Sequence, residues 1–184
     1  MIINYAGASG SRVAYYAAQI LAEYDKALIL VSSEAAASRL REDLSFFVNA
    51  EIHVLPEEED FKVLYDARDT SRLVSWIRSI NALLGERRAV VIAPTSTAVR
   101  ALPLPERFRE NCMTVSVGQV LDPADFRRRL TAAGYLHTEV TESHGEFSTR
   151  GDIIDVHAAT MDDPVRIEFF GDEVDSIRLY DRNT

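Results

Sequence analysis

Two runs, Ala27-Leu28-Ile29-Leu30-Val31 and Ala89-Val90-Val91-Ile92-Ala93, contain no polar side chain. Successive side chains of a strand point to opposite faces, so a strand with one wet face alternates apolar and polar residues. A run without alternation needs cover on both sides, as a parallel strand between helical layers has. The flanking sequence supplies the helices. Val13, Ala17, Ile20 and Leu21 share one helical face over 13–23, and Ala35 to Phe47 form a second helix for which Ser32 and Ser33 are suitable caps. Thr70 or Ser71 can cap a third, Arg72 to Leu84, which Gly85 ends. Ile2 to Tyr5 and Ile52 to Leu55 add short apolar stretches. Strands alternating with helices in this way predict a parallel sheet with helices on both faces.

The pattern changes after Pro103-Leu104-Pro105. Residues 106–111 are polar, and the boundary is placed near 111, giving domains 1–111 and 112–184. In the second domain Asp122 or Pro123 opens a helix through Ala133, stopped by Gly134. Strands are expected at Met113 to Val117, Leu136 to Val140, Glu146 to Thr149, Ile153 to Val156, Val165 to Phe169 and Glu173 to Leu179. Turns at Asp162-Asp163-Pro164 and Gly171-Asp172 separate the last of them. Short strands joined by tight turns predict antiparallel pairing, so the second domain reads as α+β.

Charge narrows the classes of partner. The net charge is −9, and residues 112–184 carry 7 basic against 14 acidic side chains. A domain that grips DNA by neutralising phosphates needs a basic face, so an arginine in this second part acts as a local contact within an acidic field. Cys112 is the single cysteine, which excludes an internal disulfide. No run approaches the roughly 18 apolar residues of a membrane span, and Met1 to Tyr5 has no signal-peptide character. A cytoplasmic location is the expectation.

The turn Gly7-Ala8-Ser9-Gly10-Ser11-Arg12-Val13-Ala14 lies where a phosphate-binding loop would open a helix. Such a loop needs a cradle of backbone N–H groups, a lysine on the phosphates and a hydroxyl on magnesium. The best alignment puts Arg12 at the second required glycine, Val13 at the lysine and Ala14 at the hydroxyl. The first domain therefore reads as a degenerate P-loop NTPase-like fold. Gly7 and Gly10 permit a tight turn, and a weak anion site on the helix N–H groups and Arg12 stays open as the alternative.

No other residue pattern points to chemistry. His53, His137, His144 and His157 make no metal-type spacing with one another or with Cys112. Cys112 is expected to be a small buried residue. The acidic stretch Glu57-Glu58-Glu59-Asp60 reads as a solvated loop. Arg127, Arg128 and Arg129 lie about 100° apart around a helix and form no single patch. No catalytic residue, cofactor or metal is expected.

The informative segments are Gly145-Glu146-Phe147-Ser148-Thr149-Arg150-Gly151-Asp152-Ile153-Ile154-Asp155-Val156-His157 and Pro164-Val165-Arg166-Ile167-Glu168-Phe169-Phe170-Gly171-Asp172-Glu173-Val174-Asp175-Ser176-Ile177-Arg178. In the second, Val165, Ile167 and Phe169 fall on one face, while Arg166, Glu168 and Phe170 fall on the other. An exposed phenylalanine beside an exposed arginine suits an interface, where aromatics and arginines concentrate binding energy.

These segments resemble the domain shared by the excision-repair helicase UvrB and the transcription-repair coupling factors, the module with which both contact UvrA. The shared features are the Arg-Gly start, an apolar strand with an acid, an Arg-acid-Phe-Phe strand and an acidic turn. His157-Ala158 stands where the family has an aromatic followed by proline. UvrB-like enzymes carry an intact P-loop and a tyrosine-rich hairpin. Here Val13 replaces the lysine, and Leu55-Pro56-Glu57-Glu58-Glu59-Asp60, then Leu64-Tyr65-Asp66, occupy the comparable place. The chain is thus more similar to the amino-terminal region of the coupling factors.

The resemblance implies that Arg150, Arg166 and Phe170 contact UvrA. The arginines would donate charge-assisted hydrogen bonds, and Phe170 would fill an apolar niche. Read by themselves, Arg150 and Arg166 could equally pair locally with Asp152, Asp155 or Glu168. It also implies a DNA translocase motor and contacts to RNA polymerase and double-stranded DNA outside these 184 residues, and a UvrA-binding face covered by a carboxy-terminal domain until the protein is engaged. Two alternatives are a UvrB-like helicase fragment and an α/β scaffold with another protein partner.

Overall fold

The structure, a computed structural model, describes residues 6–57, 71–100, 102 and 104–180. Ile2 to Tyr5, Glu58 to Asp60, Leu64 to Asp66, Thr70 and Pro103 lie outside the described residues. The chain divides into two compact units, residues 1–102 and 103–184.

In unit 1, strands β1 (Lys26–Val31), β2 (Glu51–Val54) and β3 (Ala89–Pro94) form a parallel sheet in the order β1-β3-β2. Helices α1 (Arg12–Leu21), α2 (Glu34–Ser45), α3 (Ser71–Leu84) and the short α4 (Thr95–Ala98) accompany them. The alternation of β3 sorts the layers. Val90 and Ile92 pack with Ala14 and Leu21 of α1 and Leu40 and Leu44 of α2. Val91 and Ala93 pack with Trp76 and Leu83 of α3 and Ala98 of α4. Helices thus cover both faces.

Only β3 meets the expectation of burial on both faces. Leu28 and Leu30 of β1 are 52 % and 54 % exposed. The reason is position: among the described strands β3 is central and β1 lies at the edge, and the second face of β1 lies outside the cluster formed by α3 and α4. Ser33 caps α2, its Oγ accepting from the Ala36 N–H at 3.2 Å.

Unit 2 contains α5 (Pro105–Glu110), α6 (Pro123–Ala132) and strands β4 (Leu136–His137), β5 (Glu146–Arg150), β6 (Ile153–Val156), β7 (Val165–Phe170) and β8 (Glu173–Leu179), ordered β4-β5-β6-β7-β8. β5 to β8 pair antiparallel, but β4 runs parallel to β5, so the sheet is mixed. Asp122 caps α6, its Oδ1 accepting from the Ala124 N–H at 2.7 Å, and Pro123 opens the helix without a missing bond.

Phe126 and Leu130 of α6 bury against Phe147, Ile154, Val156, Ile167, Phe169 and Val174. α6 therefore covers one face of the sheet.

Two expected strands differ. Met113 to Val117 forms no strand. Met113 and Val115 do pack on the core, so their alternation reflects an extended segment laid over the core rather than a ladder. The expected Leu136 to Val140 strand stops at His137, and Val140 is exposed. Cys112 is likewise exposed rather than buried. It follows α5, a helix with no buried residue.

No described helix is long and apolar enough to cross a membrane.

Candidate functional site: the open face of the mixed sheet

The face of the unit 2 sheet opposite α6 is set by register. Ser148 pairs with Asp155, Asp155 with Arg166, and Arg166 with Arg178. The next row joins Arg150 to Ile153, Ile153 to Glu168 and Glu168 to Ser176. Phe170 follows Glu168 by one period of the strand and pairs with Glu173. Arg150, Arg166 and Phe170, expected as contact residues, therefore share one face.

Two matching turns align them further. Arg150 precedes Gly151-Asp152, and Phe170 precedes Gly171-Asp172. Gly151 and Gly171 have φ of 60° and 66°, the left-handed region that two-residue hairpin turns require and that glycine enters without strain. Because β5 and β7 run the same way, both turns lie at one end of the sheet, with Arg150 and Phe170 beside them.

The three residues differ in how they are held. Arg150 is exposed and makes no side-chain hydrogen bond or ion pair with the described residues. Phe170 is 82 % exposed. Arg166 is committed. Its Nε and Nη2 donate to Asp155 Oδ1 and Oδ2 at 2.7 and 2.8 Å, a side-on fork that matches guanidinium to carboxylate geometry. Its Cζ lies 4.5 Å from the centre of the Tyr180 ring, in cation–π range. The hydrogen bonds that Arg166 donates to Asp155 raise its pKa above its already high ordinary value, with desolvation opposing. Of the local partners open to Arg166 in the sequence, Asp155 is the one it takes.

Around them Glu168 accepts from Ser176 Oγ at 2.9 Å and pairs with Arg178. Toward β4 the face is partly closed. Thr141 is fully buried, its Oγ1 3.0 Å from Ser148 Oγ and 3.2 Å from the Asp155 carbonyl. Glu146 holds that loop by accepting from the N–H groups of Glu142 and Ser143 at 2.9 and 2.8 Å. Tyr180 was not singled out in the sequence. The signal was present: it follows Arg178 by two, so it falls on the same side if the strand alternation is carried past Leu179.

The other candidates are dispersed. Gly7 and Gly10 have φ of 74° and 58°, and a Cβ on either would meet no atom within 4 Å. These glycines serve a turn, after which Arg12 and Val13 open α1. His53 lies on β2, and Arg128 pairs with Asp125 on α6. The rings of His144 and His157 lie 3.9 Å apart, tilted by 31°, with Nε2 of each donating to the carbonyls of Met161 and Asp162 respectively. His157 is 1 % exposed. Among the described residues no group of three His, Cys, Asp or Glu could hold a metal ion.

Residues 113–184, the sheet together with α6, match the family model described as the UvrB interaction domain. Over nearly its whole length the chain is similar to the amino-terminal region of transcription-repair-coupling factors. It is 30 % identical over 177 residues to the Bacillus subtilis protein, which covers 95 % of this chain and 15 % of the relative. A Staphylococcus aureus coupling factor is 30 % identical over 180 residues, 97 % of this chain and 15 % of the relative. The UvrABC system protein B of Geobacillus kaustophilus is 27 % identical over 193 residues, 97 % of this chain and 29 % of the relative. The chain thus spans about 15 % of the length of the coupling factors it matches.

Proposed function

We propose that the open face of the mixed sheet is a docking surface for UvrA, and that this chain is the non-catalytic part of a coupling factor that recruits UvrA in transcription-coupled nucleotide excision repair. The observation that carries this is the convergence of Arg150, Arg166 and Phe170 on one face, with Phe170 82 % exposed. A large apolar ring at the margin of a polar sheet contributes nothing to the core beneath it, and such a ring is a typical anchor for a partner's pocket. Unit 1 is read as a nucleotide-binding fold without its chemistry, in which Val13 and Ala14 cannot hold a phosphate and a magnesium ion. Any motor, and contacts to RNA polymerase and DNA, are assigned to other parts of such a protein.

The test is binding of UvrA to the 184-residue chain and to its Arg150→Ala/Arg166→Ala/Phe170→Ala variant, at two salt concentrations. Micromolar or tighter binding that is lost in a folded variant supports docking here. Binding that survives in the variant places the contact elsewhere, and no binding by the folded chain means a different partner.

A further inference from the structure

We infer that Asp155 and Tyr180 are positioning residues for this docking: they fix Arg166 so that one edge of its guanidinium is presented, already ordered, to an oxygen acceptor on the partner. The inference rests on the docking reading.

An arginine carries five N–H donors in a rigid plane. The Asp155 fork uses the Nε donor and one donor of Nη2, and Tyr180 occupies one π-face. What remains is one two-donor edge, made by one N–H of Nη1 and the second of Nη2, while the other N–H of Nη1 points back along the Cδ side. The supports are themselves held. Asp155 sits in the middle of the sheet with its carbonyl bound by Thr141 Oγ1 at 3.2 Å, and its side chain is 11 % exposed. The Tyr180 N–H donates to the Pro164 carbonyl at 2.8 Å. The Arg166 side chain retains 29 % exposure, so the side chain is not closed off from a partner.

The arrangement answers a problem on this sheet. Arg166 and Arg178 are directly opposed on β7 and β8, and like charges so placed repel. Each has its own carboxylate, Asp155 and Glu168, so Arg150 is left as the uncommitted cation among these three. Recognition by Arg166 therefore depends on direction more than on net charge. A free arginine must lose rotamer freedom when it binds; one fixed beforehand does not.

The experiment compares UvrA affinity and melting temperature for the wild-type chain, Asp155→Asn, Tyr180→Leu, Tyr180→Phe, Arg166→Ala and the Asp155→Asn/Arg166→Ala pair. The expected result is about 3- to 10-fold weaker binding for Asp155→Asn and for Tyr180→Leu, the scale of one ordered side chain. Tyr180→Phe keeps the ring and should bind as wild type. Asp155→Asn should have no further effect on binding once Arg166 is gone, because it acts only through that side chain. An equal loss with and without Arg166 would mark Asp155 as merely structural and overturn the inference. So would wild-type binding by folded Asp155→Asn and Tyr180→Leu while Arg166→Ala binds weakly, an outcome that leaves the docking reading intact. If Asp155→Asn does not fold, the two Tyr180 variants decide. Undiminished binding by the folded Arg150/Arg166/Phe170 variant removes the docking reading and this inference with it.

Discussion

Phe169 and Phe170 are adjacent in sequence, identical in chemistry and opposite in surroundings. Phe169 is 5 % exposed, its ring 6.3 Å from that of Phe126 on α6. Phe170 is 82 % exposed. Removing a buried phenylalanine side chain costs about 3–5 kcal/mol through lost transfer energy and the cavity left behind. For a unit of this size that is a fall in melting temperature of more than about 10 °C. Phe170→Ala removes a ring that folding did not bury, so its stability change should stay within about 0.5 kcal/mol. Binding reverses the order. If docking buries the Phe170 ring, its loss costs about 1.5–3 kcal/mol, or roughly 10- to 150-fold in affinity. Thermal melts and titration of UvrA onto the two variants check this. A folded Phe170→Ala chain that binds within twofold of wild type would refute the anchoring role. A Phe169→Ala chain that melts like wild type would refute the assignment of faces from which the whole site is built.

Three further predictions follow from individual groups. Arg150→Ala should slow association with UvrA and flatten its salt dependence, since an exposed, unpaired cation acts mainly by steering; association rates at two ionic strengths test it. Ser33→Ala removes the cap of α2 and should lower stability by about 1 kcal/mol, read as a lower urea midpoint with unchanged slope. Tyr135 has its pKa raised above 10.0, chiefly by desolvation, with a backbone hydrogen bond at Ala159 opposing. The folded state therefore holds this proton more tightly than the unfolded state. The stabilisation is full below the unfolded pKa and is lost as pH rises above about 10. Tyr135→Phe should lose less stability between pH 9 and 11 than the wild type does, in paired urea melts across that range.

The local grammar of this chain was legible because it depends on neighbours in sequence. Helical spacing placed α1, cap and stop residues marked α2, α3 and α6, and period-two alternation separated Phe169 from Phe170. The Arg-Gly and Arg-acid-Phe-Phe segments carried the family resemblance for the same reason: they are contiguous. The apolar run Ala27 to Val31 misled on burial because composition records what a strand can tolerate, not whether it lies at the centre or the edge of a sheet. Met113 to Val117 misled because alternation is shared by a paired strand and by an extended segment resting on a core. Cys112 misled because residue type does not show whether the neighbouring helix is buried, and α5 buries none of its residues.

What only the tertiary structure decided is the company that side chains keep across strands. The sequence left Arg166 with three possible carboxylates and gave Tyr180 no part. Register chose Asp155 and brought Tyr180 beneath the guanidinium, because β6, β7 and the end of β8 are brought together by ladder hydrogen bonds and by the shared burial of Ile154, Ile167 and Val174 against α6. By itself the sequence determined which face of each strand a residue occupies, a matter of alternation along one chain. Which residues on that face meet is fixed by pairing between distant segments, and no local pattern contains it.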